Sequence, residues 1–274
     1  MKNIFLLLIV IPFILQSCIK WDNWAEPGST IHGTFIDTYT NKPLLASQNE
    51  WQIFAWERSF TGYPNGAATR QDLRIKQDGT YQNTKFFPGT YDLIVDRGPF
   101  WDVDTVRIEI GKNTEHNFHV TPFYQIIDLK TEVGMSQFGP ATALETHPSL
   151  IVKFKVRAPL KVKNGVNLPN VDWVRAFISL TEFCGAGSDG SLGTYDSDNA
   201  QTGQQGRLRV NRSWRDEMIN RFPTIDPDSD TTGEYVIGPL RVKSGYTYRV
   251  RGGANRSGNG GRWNYSEIVT VKIP

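Results

Sequence analysis

The chain has 274 residues with 30 Lys and Arg against 28 Asp and Glu, a formal net charge of +2, so its overall charge gives no argument for a nucleic-acid partner. Hydrophobic residues make up 39% and aromatics 12%, with 25 Gly and 15 Pro spread along the chain. That excludes a disordered or low-complexity protein and suffices for one large or two ordinary folded domains. The charge is uneven: residues 1–149 hold 12 basic and 16 acidic groups, a balance of −4, and residues 150–274 hold 18 and 12, a balance of +6. Two domains with different partners and a merely solvated surface are both compatible with this.

At the N-terminus, Met1-Lys2-Asn3 is a short basic region, Ile4 to Ile14 is apolar, and the small residue Ser17 precedes Cys18. This is the pattern of a secretory signal peptide. The apolar run is shorter than the roughly 20 residues that cross a bilayer, and Lys20-Trp21-Asp22-Asn23 does not continue it. Leu15-Gln16-Ser17-Cys18 resembles the bacterial lipobox. The resemblance implies removal of residues 1–17, a diacylglycerol on the Cys18 thiol and a lipidated tether over 18–29, a membrane anchor made of acyl chains. Cys184 would then be the only free thiol, so no intrachain disulfide is possible and stability rests on packing.

From Thr30 the chain reads as strand after strand. Ile31, Gly33 and Phe35 alternate with His32, Thr34 and Ile36, and Thr40-Asn41-Lys42-Pro43 ends the strand;. Trp51 to Glu57 is a second strand, rich in aromatics. Asp78-Gly79 predicts a hairpin turn after Leu73 to Lys76, with Tyr81 to Phe87 returning. Thr90 to Val95, Asp104 to Ile110 and Asn117 to Val120 complete about seven short strands, a β-sandwich over residues 30–122. The pieces Gly33 to Asp37, Asn41 to Leu44, Asp78 to Tyr81 and Phe87 to Leu93 resemble the carboxypeptidase-regulatory, transthyretin-like sandwich, in which they are structural signatures without catalysis.

Residues 123–274 read as a second β-sandwich. Leu150 to Val156 and Val171 to Leu180 are strands, and 184–206 is a loop rich in Gly, Ser and Asp. One short helix is predicted, capped by Ser213 with Asp216 three residues on, with Trp214, Met218 and Phe222 on one face and Pro223 as the stop. The fold class is thus all-β, two consecutive sandwiches. Tyr246 to Arg251, a Gly-rich turn and Trp263 to Val271 are similar to the closing strands of a fibronectin type III domain.

The mature chain as a whole resembles two-domain lipoproteins of Bacteroidetes, of undefined function, encoded beside SusC/SusD-type outer-membrane uptake systems. The matching pieces include Asp22-Asn23-Trp24, Gly33 to Asp37, Asn83 to Tyr91, Val120-Thr121-Pro122 and Arg262 to Glu267. The resemblance implies a surface-exposed, lipid-anchored outer-membrane protein that serves a SusC/SusD-like nutrient importer and binds glycan. The alternative is a structural subunit that docks on the transporter and touches no ligand.

Chemistry is sparse in the sequence. No zinc-protease, nucleophile-elbow or phosphate-loop motif occurs, no cofactor is implied, and the expectation is a non-enzyme. His116 and His119, three apart on a strand, point to opposite faces and exclude simple shared ligation. Asp226, Asp228 and Asp230 begin a Ca²⁺-loop pattern that then fails, with Thr231 where Gly is required and Ile237 where the bidentate Glu should stand. Sugar rings stack on aromatic rings held on loops. The candidates for glycan binding are therefore Tyr63, Phe100 with Trp101, and Trp263 with Tyr265. Trp51, Trp56 and Trp173, within strands, are assigned to cores.

Overall fold

The computed structural model describes residues 26–60, 62, 69–139, 142–186, 206–258 and 262–274. The signal segment, Cys18, most of the tether and Tyr63 lie outside the described residues. The first part contains β1 (Ser29–Asp37), β2 (Gln52–Glu57), β3 (Arg70–Arg74), β4 (Thr80–Phe86), β5 (Gly89–Val95), β6 (Val106–Ile110), β7 (Asn113–Glu115) and β8 (Phe118–Val120). The second contains β9 (Gln125–Phe138), β10 (Glu145–Arg157), β11 (Val162–Lys163), β12 (Val166–Asn167), β13 (Val171–Ser179), β14 (Arg207–Arg212), α1 (Trp214–Arg221), β15 (Tyr235–Arg241), β16 (Thr247–Arg256), β17 (Trp263–Tyr265) and β18 (Val269–Lys272). The chain is nearly all β, as its alternation predicts.

In the first sandwich, β4, β1 and β7 form one sheet, with β8 also on β1, and β3-β2-β5-β6 form the other. Strict alternation along β1 sends Ile31 and Phe35 inward;. Phe35 stacks on Phe118 at 5.0 Å and meets Trp51 edge-on at 6.0 Å, in a core that also takes Ile53, Tyr81, Tyr91 and Leu93. Both β7 and β8 run parallel to β1. That pairing needs Gly33, because a Cβ there would stand 1.7 Å from the carbonyl oxygen of His116. Tyr81 donates its hydroxyl to the same carbonyl at 2.6 Å.

The Asp78-Gly79 turn differs from its expectation. It does not close a two-stranded hairpin. Ile75 and Tyr81 share one bridge, after which β4 crosses to the other sheet and pairs with β1, Gly33 opposite Tyr81. The core decides this. Leu73, Ile75 and Tyr81 are all buried, and a turn that arches between the sheets lets all three enter from one end.

In the second sandwich, β15-β10-β9 face β14-β13-β16-β17, with β18 also on β16. Leu150, Val152, Phe154 and Val156 of β10 pack with Val174, Ala176 and Ile178 of β13 and with Tyr248 and Val250 of β16. A register shift between Val171 and Trp173 lets Val171 and Val174 both reach this core;. The predicted helix is present. Ser213 accepts a hydrogen bond from the Asp216 amide at 3.2 Å, Trp214 and Met218 are buried, and the Phe222 amide closes the last turn on the Met218 carbonyl. The β9–β10 hairpin is longer than its sequence suggests and carries Val133 and Met135 exposed.

The sandwiches meet through a polar, largely enclosed junction. The Glu50 carboxylate accepts the amides of Ser47 at 2.9 Å and Trp263 at 2.7 Å. Arg251 donates to the carbonyls of Ala46 and Cys184, at 2.8 and 2.9 Å, and lies 3.8 Å above the Tyr265 ring. Arg262 reaches Asp96 at 2.6 Å. Gly185 sits so close to Ser47 that a Cβ would come within 2.7 Å of its side chain.

Candidate functional site

The four described rings assigned to glycan binding do not stand on the surface. Phe100 is 3% exposed and packs in the first core between Phe35 and Trp51. Trp101, 6% exposed, turns into the second core beside Phe123. Trp263 and Tyr265 are 6% and 7% exposed and pack around Phe177 at the junction, with Leu45 of the first sandwich against them. In this arrangement none of the four offers a face to a sugar. Each ring gains more from leaving water than a loop could return to it, about 2–3 kcal/mol for a large side chain. Tyr63 falls outside the described residues.

Two tryptophans assigned to cores lie on the faces of their sheets away from the main cores, Trp56 partly covered and Trp173 packed against the junction cluster of Phe177, Trp263 and Tyr265. Along β2, Ile53, Ala55 and Glu57 point inward while Gln52, Phe54 and Trp56 are only partly covered. Trp173, on the outer face of β13, lies under the guanidinium groups of Arg207 and Arg209, at 4.7 and 5.5 Å. The outward position of Trp56 was open to detection. Trp51, Phe54 and Trp56 span both parities of one strand, so one parity had to face outward.

The outer face of β3-β2-β5-β6 is the better-formed candidate site. Antiparallel register sets Trp56 between Arg70 and Asp92, Phe54 between Asp72 and Ile94, and Asp92 opposite Arg107. Arg70 holds its guanidinium 4.3 Å from the Phe54 ring centroid and 6.0 Å from that of Trp56, and its Nε pairs with Asp72 at 2.9 Å. Asp92 accepts Nε and Nη2 of Arg107 at 2.7 and 3.0 Å and Nε of Arg58 at 2.8 Å. These bonds, Arg107 first, pull the Asp92 carboxyl from 3.8 down to about 2;. The result is an aromatic strip in which Arg70 caps the Phe54 ring and Trp56 is the ring left to stack a ligand, with guanidinium groups beside it that can donate hydrogen bonds to the ligand's substituents;.

The remaining candidates separate. Among the described residues no three His, Cys, Asp or Glu side chains gather to hold a metal. Asp226 accepts the Asp228 amide within its own turn, Asp228 pairs with Arg215, and Asp230 pairs with Arg157, so the three carboxylates turn to different partners. Cys184 is fully buried, its thiol on the carbonyls of Phe177 and Arg249, and burial pushes it up to about 11. That leaves it inert. Glu57 is spent on the amides of Ser59 and Phe60. A cleft of about 540 Å³ lies beside the end of α1, lined by Arg221, Phe222, Pro223, Glu234 and Tyr235. The two rings in its lining, Phe222 and Tyr235, are packed edge-on against each other at 5.1 Å.

Residues 29–121 match the model of the DUF3823 N-terminal domain. That family is described as a protein of unknown function, and the match spans the whole first sandwich, including the Phe54 and Trp56 strip. Solved structures extend the likeness to both parts. A Bacteroides uniformis protein provisionally described as carbohydrate binding superposes with a TM-score of 0.58 at 18% identity, covering 90% of this chain and 100% of its own. A DUF3823 family protein of the same organism gives 0.56 at 24% identity, and one of Parabacteroides merdae 0.51 at 13%, each with the same coverage. At such identities the likeness establishes a shared fold. Comparison with curated proteins gives no match.

Proposed function

We propose that this protein is a glycan-binding module, held at the outer face of a bacterial outer membrane by acyl chains on Cys18, that serves a SusC/SusD-like importer, and that it binds sugar on the Trp56 face of its first sandwich. One observation carries the reading: Phe54 and Trp56 are the aromatic pair that β2 turns away from the core, set in a frame of Arg58, Arg70 and Arg107. A sugar presents an apolar C–H face and a rim of hydroxyls, and this strip presents a ring and a rim of donors. The carbohydrate-binding description of one structural neighbour and the lipobox at Cys18 both favour it. The strand order of the second sandwich, β9-β10-β15 on one sheet and β14-β13-β16-β17 on the other, supports a fibronectin type III-like spacer beneath it;. Calorimetry of the lipidated protein in detergent against a glycan panel tests the function. Trp56→Ala is expected to weaken binding at least about tenfold, equivalent to ~1.4 kcal/mol, while leaving the melting temperature within a few degrees. Undiminished binding in that variant would move the site elsewhere.

The second reading is a transporter-docking subunit that binds no ligand. It draws on the β9–β10 hairpin, whose edge strand exposes Val133 and Met135;. Co-purification with a large β-barrel after mild detergent extraction, lost on Met135→Lys with glycan binding absent throughout, would favour it.

A further inference from the structure

We propose that the sugar taken by the Trp56 face is acidic, carrying carboxylate or sulfate groups that are clamped by Arg58 and Arg107. The inference rests on the reading of that face as a glycan site. Three observations carry it.

The first is charge. The face carries Arg58, Arg70, Arg74 and Arg107 against Asp72, Asp92 and Glu109, with Asp96 at its edge neutralised by Arg262, a net +1 in a half of the chain whose balance is −4. The excess is local to the strip and is not the average of the surface around it.

The second is how the arginines are held. Asp92 is only 10% exposed and accepts three hydrogen bonds of 2.7–3.0 Å from Arg58 and Arg107, whose side chains are 43% and 68% exposed. One buried carboxylate thus orients two guanidinium groups and neutralises one of them. Both terminal nitrogens of Arg58 and Nη1 of Arg107 have no partner among the described residues. Planar donors already fixed in place lose little entropy on binding and match the geometry of carboxylate and sulfate oxygens.

The third is the shortage of acceptors. Both Asp92 oxygens are occupied by arginine, and Asp72 is turned to Arg70. Hydroxyls of a neutral sugar donate as well as accept, and beside Trp56 the groups left without a partner among the described residues are mainly donors, the exposed carboxylate of that face, Glu109, standing opposite Thr90 at its rim. Trp56 and Asp92 are direct cross-strand partners, about 5 Å apart;. A pyranose stacked on the indole therefore puts its ring substituents at the two arginines.

The test is titration calorimetry on the full lipidated chain in detergent with matched pairs of oligosaccharides. Oligogalacturonate is compared with its methyl ester, and a carrageenan oligomer with the same oligomer after desulfation, so the two arms separate carboxylate from sulfate as the source of charge. The acidic member of at least one pair is expected to bind at least about tenfold more tightly. It should weaken by a similar factor as salt rises from about 50 to about 300 mM, where the Debye length falls to roughly half. Arg107→Gln should abolish the preference with Trp56 stacking retained. The salt series on the unaltered protein decides the matter even where Arg107→Gln destabilises the sheet. Equal affinity within both pairs, or acidic binding indifferent to salt, overturns the proposal. If neutral members bind through Trp56 in that case, the glycan reading survives without it. If no sugar of either kind binds, both fall together.

Discussion

Asp92 ties the candidate site to stability. Its carboxyl, lowered to about 2 by the hydrogen bonds of Arg107 and then Arg58, stays ionised in the folded protein across the range in which the unfolded chain takes up protons near 3.8. A depressed carboxylate contributes stability above its unfolded value and loses it as pH falls through its folded one. Asp92→Asn is therefore expected to cost about 1 kcal/mol at neutral pH, modest because both arginines are substantially exposed;. The deficit relative to the unaltered protein should shrink between about pH 4 and pH 2. Urea denaturation at stepped pH measures it, and a deficit constant down to pH 2 would contradict the assignment. Trp56 shows what single residues disclose. Its side chain type and its strand were legible, but whether it faced in or out depended on the parity of Ile53 and Ala55, which only the packed core fixes.

Elements were read well where one local signal dominated. The helix announced itself by Ser213, Asp216 and Pro223, and α1 sits between them. Period-two alternation located β1, and short apolar or aromatic runs bounded by turn residues located β2, β5, β10 and β13. The Asp78-Gly79 turn was legible as a turn but not as an arch, because a turn dipeptide sets local backbone and leaves open which sheet the next strand joins. The outer half of β9 was not assigned as a strand: Val133 and Met135 do alternate with Glu132 and Ser136, but they face water, and Gly134 between them weakens the strand signal;. Gly33 is the element-scale test of the parallel pairing. With the His116 carbonyl 1.7 Å from where a Cβ would lie, Gly33→Ala must push β7 and β8 away from β1. The expected loss is about 3 kcal/mol, seen as a lowered urea midpoint or as insoluble protein. A stability within 0.5 kcal/mol or so of the parent would mean that the two strands are not held against β1.

At the scale of the whole molecule the junction is the decisive feature. Burial raises the Glu50 carboxyl from 4.5 to about 7, against the opposing pull of the Ser47 and Trp263 amides and the Arg251 charge. Burial also lowers Arg251 from its ordinary value. Between about pH 4.5 and 7 the folded chain holds a proton on Glu50 that the unfolded chain does not. Stability from this group is full below the lower value and is lost as pH rises through the upper one. Glu50→Gln, neutral throughout, turns an NH2 donor toward the Ser47 or the Trp263 amide, so it is expected to melt lower than the parent at pH 5 and to flatten the decline between pH 5 and 8;. Calorimetric melting across that range checks it, and parallel curves for the two proteins would remove Glu50 from the account.

Composition and strand patterning by themselves determined the all-β, sandwich-like fold, and the Ser213 cap and the Pro223 stop determined the short helix of the described residues. Which aromatics face outward was decided by tertiary structure alone. Alternation divides a strand into two sets of side chains but cannot say which set meets a core. The face of a sheet that would be solvent in one domain also becomes interior when another domain lies on it. Trp263 and Tyr265 were buried in that second way, and Trp56 was left outside in the first.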